Sequence, residues 1–215
     1  MNHIIEFFDK EHIYLVDGQE VPSVTTILNY MSDAEYGKIP QATLDQAARR
    51  GTLVHEYTEL MDYDAIPDEI EYEVVGYLKA YADFLRDYRP DWTHIESKVY
   101  SSAFGYVGTV DRAGFIDGQR VIVDIKTVSS PTKMQKFTVC SQTSAYAVAL
   151  KQTYGVPTQK RYALYLTRDG EYNFVDLGEY EDKYDYDPWQ MFKRCLDMYN
   201  EIKTLKELKP IRKGK

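Results

Sequence analysis

Two aspartates and a lysine fall within reach of one another on sequence grounds alone. Between Gly108 and Lys126, two strand-like runs flank Asp117-Gly118. That pair suits a two-residue hairpin turn, because glycine, and tolerably aspartate, accepts the positive φ such a turn demands. With those residues as the turn, Ile116 faces Gln119 and, counting back, Asp111 faces Asp124. Directly opposed residues share a face with Cβ atoms about 4.5–5.5 Å apart, where like charges are destabilising. A cation would relieve that repulsion. Lys126 takes the same face as Asp124, two residues on. The other face reads Val110, Ile116, Val121, Val123 and Ile125, a core face. Such a constellation suits divalent-metal hydrolysis of phosphodiesters. Mg2+ prefers oxygen ligands, keeps several waters and shares phosphate oxygens. One or two such ions activate a water and stabilise the leaving oxygen. A neighbouring lysine can orient that water or stabilise charge on the phosphate. Taken by themselves, the three residues also fit a surface hairpin with solvated charges.

Further residues narrow the choice. Gly108-Thr109-Val110-Asp111 resembles the GxxD motif of the PD-(D/E)XK nucleases, and Asp124-Ile125-Lys126 their (D/E)xK motif. Gln142-Thr143-Ser144-Ala145-Tyr146 resembles the QxxxY motif of the RecB-like exonuclease branch, and Arg50-Gly51-Thr52-Leu53-Val54-His55 its GxxxH motif. Each is short, but the four occur in the family's order and at suitable spacing. The opening, with His12-Ile13-Tyr14 and the run Val21 to Leu28, is similar to phage-type and mitochondrial single-strand exonucleases of this branch. The resemblance spans roughly residues 8–165. It implies that Asp111 and Asp124 bind Mg2+ or Mn2+, one or two ions, together with the carbonyl of Ile125. It also implies that His55 completes or supports the coordination, that Lys126 positions the nucleophilic water, and that Gln142 and Tyr146 hold the strand or brace the site. Glu96 stands where many relatives carry a glutamate ahead of GxxD, and Arg50 is a candidate phosphate contact. The fold implied is α/β, a restriction-endonuclease-like core with a central mixed sheet flanked by helices, preceded by an N-terminal hairpin and helix.

The elements that must carry these residues can be read in order. Ile4–Phe8 and His12–Val16 are short strands, with Asp17-Gly18 a turn. Ser23 is a candidate N-cap for a helix over Val24–Met31. Pro40 opens a second helix to about Tyr63. Gly51 within it costs about 1 kcal/mol against alanine, which is reasonable if a strand or a phosphate approaches the backbone. His55 shares its face. A third helix is expected from Asp68 to Tyr88, ended by Pro90, and a strand from Trp92 to Tyr100 that pairs with the Asp111 strand. Pro131 and Thr132 introduce a helix to Tyr154, on which Gln142 and Tyr146 share a face. A closing hairpin turns at Asp169-Gly170, and a last helix runs from Trp189 to Leu208.

The 215 residues suit one domain, with an N-terminal appendage at 1–35, a nuclease core at 40–178 and a C-terminal helix at 187–209. Apolar content of 44% and charged content of 28% fit a water-soluble globular chain. No run approaches the ~20 apolar residues of a membrane span, and the N-terminus lacks the regions of a signal peptide, so a cytoplasmic protein is expected. Cys140 and Cys195 read as structural cysteines. Some relatives hold an iron–sulfur cluster on four cysteines, which two cannot supply. The net charge of −8 argues mildly against a nonspecific nucleic-acid binder. Part of it lies in the acidic run Glu179–Asp187, read as a solvated loop; basic residues gather at Arg49-Arg50 and in the tail from Lys203 to Lys215. The expectation is a metal-dependent DNA exonuclease acting on single strands or free ends, in phage or bacterial recombination or repair, with a recombination protein as a possible partner. The alternatives are a structure-selective or sequence-specific endonuclease on the same site, and a nuclease-fold protein that binds nucleic acid or a partner without cutting.

Overall fold

The computed structural model describes residues 3–8, 13–36, 39–67, 69–128 and 130–208, without the side chains of residues 32–36. His12, Asp68 and the basic tail from Lys209 onward lie outside the described residues.

Two turns with positive φ start the architecture. Asp17-Gly18 (φ 51° and 78°) joins β2 (Ile13–Val16) to β3 (Gln19–Val21), and β1 (Ile5–Phe8) completes a small antiparallel sheet. Asp117-Gly118 (φ 50° and 74°) joins β5 (Tyr106–Ile116) to β6 (Gln119–Lys126) in the expected register, Ile116 opposite Gln119. The second sheet has the order β4-β5-β6-β7-β8, with β4 at Asp91–Ser101, β7 at Lys160–Leu166 and β8 at Tyr172–Asp176. Its β6–β7 pair is parallel and the others antiparallel. The mixed sheet flanked by helices therefore matches the expected class.

Helix α1 (Val24–Tyr36) starts at Ser23, whose Oγ accepts a bond from Thr26 N at 3.0 Å, and it runs five residues past the expected end. Helix α2 (Gln41–Asp62) follows Pro40. Helix α3 (Val75–Tyr88) starts later than expected. Arg49 on α2 pairs with Glu71 and Glu73, holding that stretch against α2 as turn rather than helix. Helix α4 (Lys133–Tyr154) begins in a reciprocal capping box between Thr132 and Gln135 and provides the crossover that a parallel β6–β7 pair needs. The acidic run is not a loop. It forms α5 (Leu177–Tyr184), because Tyr180, Tyr184 and Tyr186 pack around Phe137 and buried Glu181 pairs with Arg161 at 2.6 Å. Helix α6 (Pro188–Glu207) closes the chain.

The hairpin is buried on both faces, not one. Val121, Val123 and Ile125 pack with Val54 of α2 and with Tyr77, Tyr81 and Phe84 of α3. Ala113 and Ile122, on the face of the two aspartates, pack under α1, α4 and α6 with Val24, Tyr146 and Phe192. The small sheet attaches through Val107 N to Pro22 O at 3.0 Å and through the Tyr14 and Thr109 hydroxyls at 2.9 Å. Cys140 and Cys195 are buried free thiols, and none of the described helices is long and apolar enough to cross a membrane.

Helix α3 docks where Gly76 meets the β7–β8 connection: a Cβ built on Gly76 would lie 1.8 Å from the carbonyl oxygen of Arg168. Backbone cannot yield as a flexible side chain does. Gly76→Ala should cost about 1–3 kcal/mol, read as a lower urea midpoint at an unchanged slope. An unaltered midpoint would contradict this docking.

Candidate active site

Three carboxylates occupy one row across the second sheet. Counting along the observed registers places Glu96 of β4 opposite Asp111 of β5, and Asp111 opposite Asp124 of β6. In both ladders that row is where pairing gives way. The β4–β5 pairs pass from Ile95–Arg112 to Ser97–Val110, skipping Glu96, whose backbone is left-handed at φ 41°. The β5–β6 pairs stop at Arg112–Val123, one short of Asp111 and Asp124. Instead, Asp111 Oδ2 accepts a 2.7 Å hydrogen bond from Ile125 N. Repulsion between opposed carboxylates gives the physical reason. The strands part, and groups from both faces of the sheet enter the gap.

From the α2 side comes His55. Its Nδ1 donates to Glu96 Oε1 at 3.1 Å and lies 3.9 Å from Asp111 Oδ2, while Nε2 donates to the Ile125 carbonyl at 3.2 Å. Burial pulls its pKa down, but the Asp111 and Glu96 carboxylates outweigh burial and raise it to about 9. The imidazolium thus stands as a cation among three oxygens. Gly51, on the same face of α2, has room: a Cβ there would meet only Thr127 Oγ1, at 3.9 Å. No strand presses on it, so that part of the expectation for Gly51 is not met.

Beneath this group lies Arg112, fully buried on the face expected to be wholly apolar. Its Nε is paired with Asp62 at 2.5 Å, Nη1 donates to Glu96 Oε1 at 2.9 Å and to the Asp111 carbonyl at 2.7 Å, and Nη2 donates to Thr58 Oγ1 at 3.1 Å. The Tyr81 hydroxyl donates to Asp62, 2.9 Å from each carboxylate oxygen. Arg112 therefore fixes both Glu96 and the Asp111 backbone. Sequence reading passed over it; the available signal was an arginine between Val110 and Gly114 on a strand, with Asp62 two turns beyond His55 on α2.

On the α4 side, Asp124 is 1% exposed. Burial pushes its pKa up and Asp111 adds to that, Lys126 opposes, and the result is about 6. Lys126 Nζ lies 2.6 Å from Asp124 Oδ2, and this pairing holds the buried carboxylate. Gln142 Nε2 donates to the Tyr146 hydroxyl at 3.0 Å. Tyr146 is itself buried against Gly108, where a Cβ would come within 2.5 Å of its ring. That placement suits bracing the Asp111 strand and leaves the ring no open face for a base. Arg50 is half-buried on α2, and its Nε has no hydrogen-bond partner among the described residues.

These donors fit a hard divalent cation. His55, Glu96 and Asp111 each present one ligand atom, all within 4.8 Å of one another. The Ile125 carbonyl adjoins them, and Asp124 supplies a buried carboxylate whose charge is met by Lys126 on its own side of the gap. The carboxylate and carbonyl oxygens suit a hard divalent cation, and the imidazole adds a ligand type that transition metals also accept. Glu96, expected only as a supporting residue, belongs to the converging three, whereas Asp124 lies on the Lys126 side of the gap.

The family model of the PD-(D/E)XK nuclease superfamily matches residues 33–204. No curated protein matches the chain. A solved structure described as "Crystal structure of SSO0001" is similar at 13% identity and a TM-score of 0.35, over 84% of this chain and 85% of that one.

If Arg112 holds the row together, Arg112→Leu strands Asp62 without its charge partner and should cost about 3–5 kcal/mol of stability. Adding Asp62→Leu should restore part of that loss in a double-mutant cycle. Loss of less than 1 kcal/mol in the single variant, against the expectation of about 3–5, would show that the pair is not needed.

Proposed function

The chain belongs to the PD-(D/E)XK nuclease superfamily, and on that premise we propose that it is a Mg2+- or Mn2+-dependent deoxyribonuclease of the RecB-like branch that degrades DNA from free or single-stranded ends. Membership in the superfamily implies metal-dependent nuclease activity. The observation that carries the nuclease reading is the convergence of Asp111, Asp124, Lys126 and His55 on the gap between β5 and β6, while the RecB-like, end-directed reading rests on the resemblance of Gly51–His55 and Gln142–Tyr146 to that branch's motifs.

Asp111, Asp124, His55 and the Ile125 carbonyl hold the ion or ions, with Glu96 turned toward the same place. When bound, a divalent ion supplies Lewis-acid polarisation of the phosphodiester and makes water a better nucleophile at neutral pH. The protein's own part is positional. Asp124 anchors the Lys126 ammonium at the mouth of the gap, where it orients the attacking water and balances charge on the phosphate. Arg50 and the open backbone at Gly51 lie on the α2 side of that path, where a phosphate can approach. Gln142 and Tyr146 keep the Asp111 strand in place. A covalent route through tyrosine is disfavoured, because burial among Asp111 and Asp124 raises the Tyr146 phenol well above its ordinary pKa. Attack by water, without a covalent intermediate, follows. The chain acts as one nuclease domain, in the cytoplasm, on DNA, with a recombination protein as its possible partner.

The test uses end-labelled linear single-stranded DNA and closed circular single-stranded DNA with Mg2+ or Mn2+. Degradation of the linear strand only, abolished by EDTA and by Asp124→Ala and lowered about 100-fold or more by Lys126→Ala, is the expected result. Cutting of the circle would replace the exonuclease by an endonuclease. Binding without cleavage in either metal would overturn the enzyme reading.

A further inference from the structure

A cavity of about 370 Å³ opens beside Lys126, within the size range of small-ligand sites. It lies between α1, the end of β6 and the first half of α4. Its walls are Leu28 and Met31 from α1, Val128 after β6, and Met134 and Val139 from α4. Hydrogen-bonding groups stand among them: Asn29, Thr138 and Gln142. Gln142 commits its amide nitrogen to Tyr146, which leaves its carbonyl oxygen as an acceptor. Lys126 is the only charged side chain among the lining residues. The same ammonium is paired with Asp124, so the cavity and the cleavage centre share a wall.

That chemistry selects a class of occupant. A phosphate would want more than one cation and little apolar wall. A flat, neutral, heteroaromatic ring wants what is present: aliphatic walls, amide and hydroxyl edges, and methionine sulfurs, which make favourable contacts with aromatic rings. An attached phosphate would then lie toward Lys126. We propose that this cavity is a specificity subsite that receives one unpaired nucleobase, that of the nucleotide adjoining the bond to be cut. The proposal rests on the nuclease reading. It accounts for a preference for single strands in physical terms. A base in a duplex must first lose its pairing and stacking, whereas an unpaired base enters without losing a pairing partner.

The filling variant is Thr138→Phe, which projects a ring into the cavity from a half-buried position on α4. A second variant, Met134→Asp, changes polarity at an exposed position. Two measurements apply to each. The first is kcat/KM on single strands with an ordinary nucleotide or an abasic one at each position near the labelled end. The second is fluorescence of 2-aminopurine in the same strands, titrated with protein in EDTA. The wild type should prefer the ordinary strand at least tenfold at one position, through KM, and should brighten 2-aminopurine there as it leaves the stack. Both variants should close that gap and lose the brightening. A wild type indifferent to the abasic position, or variants that keep both signals, would overturn the subsite. If no strand is cut in either metal, the nuclease reading fails, and the fluorescence titration alone decides whether a base is bound.

Discussion

Opposed like charges are the constraint on which the rest of the structure depends. Glu96, Asp111 and Asp124 share one row of the sheet, and neither ladder pairs normally through it. A continuous ladder would press the three carboxylates together in a site with little water. The chain instead bends β4 into a left-handed residue at Glu96 and ends the β5–β6 ladder early, turning the Asp111 carboxylate to Ile125 N. What would be a defect in a structural sheet becomes a cleft lined with oxygens.

Cations approach this cleft from opposite layers, and they differ in role. Arg112 and His55 are held on the α2 side, the first fully buried with Asp62, Thr58 and Glu96, the second among Glu96, Asp111 and the Ile125 carbonyl. An arginine so enclosed cannot leave or lose its proton, so it is scaffolding. The histidine can lose its proton and exchange its partners, which a ligand must do. Lys126 stands on the α4 side beside a cavity, with Asp124 as its anchor. Thus the buried arginine and the half-exposed lysine reach the carboxylate row from opposite faces of the sheet. Tyr146 braces the row by packing on Gly108, three residues before Asp111 on β5.

Much of this was legible in the residues. Asp117-Gly118 set the hairpin register because both residues accept the positive φ of a two-residue turn, and the register then placed Asp111 against Asp124. Thr132 and Ser23 marked helix starts by local capping, which needs no tertiary information. Tertiary contacts were harder. The one-sided hairpin was mistaken because Ala113 and Ile122 are too few to announce a second buried face. Arg112 was missed because periodicity treats a charge on a core face as an exception, whereas its partners lie on α2 and α3, far away in sequence. The acidic run became a helix because its tyrosines, not its carboxylates, decide where it packs. The cavity beside Lys126 needs α1 and α4 to converge, which no local pattern encodes.

Since the carboxylate row is the centre of this account, its affinity for a divalent ion is the quantity to measure. Titration of Mn2+ into the wild type and into Asp111→Ala, following free Mn2+ by its paramagnetic resonance signal, reads it without reference to any substrate. Saturable binding by the wild type, weakened at least tenfold by Asp111→Ala while the fold is retained, is the predicted result. Equal Mn2+ affinity in the two proteins would contradict the claim that the parted strands build a metal site.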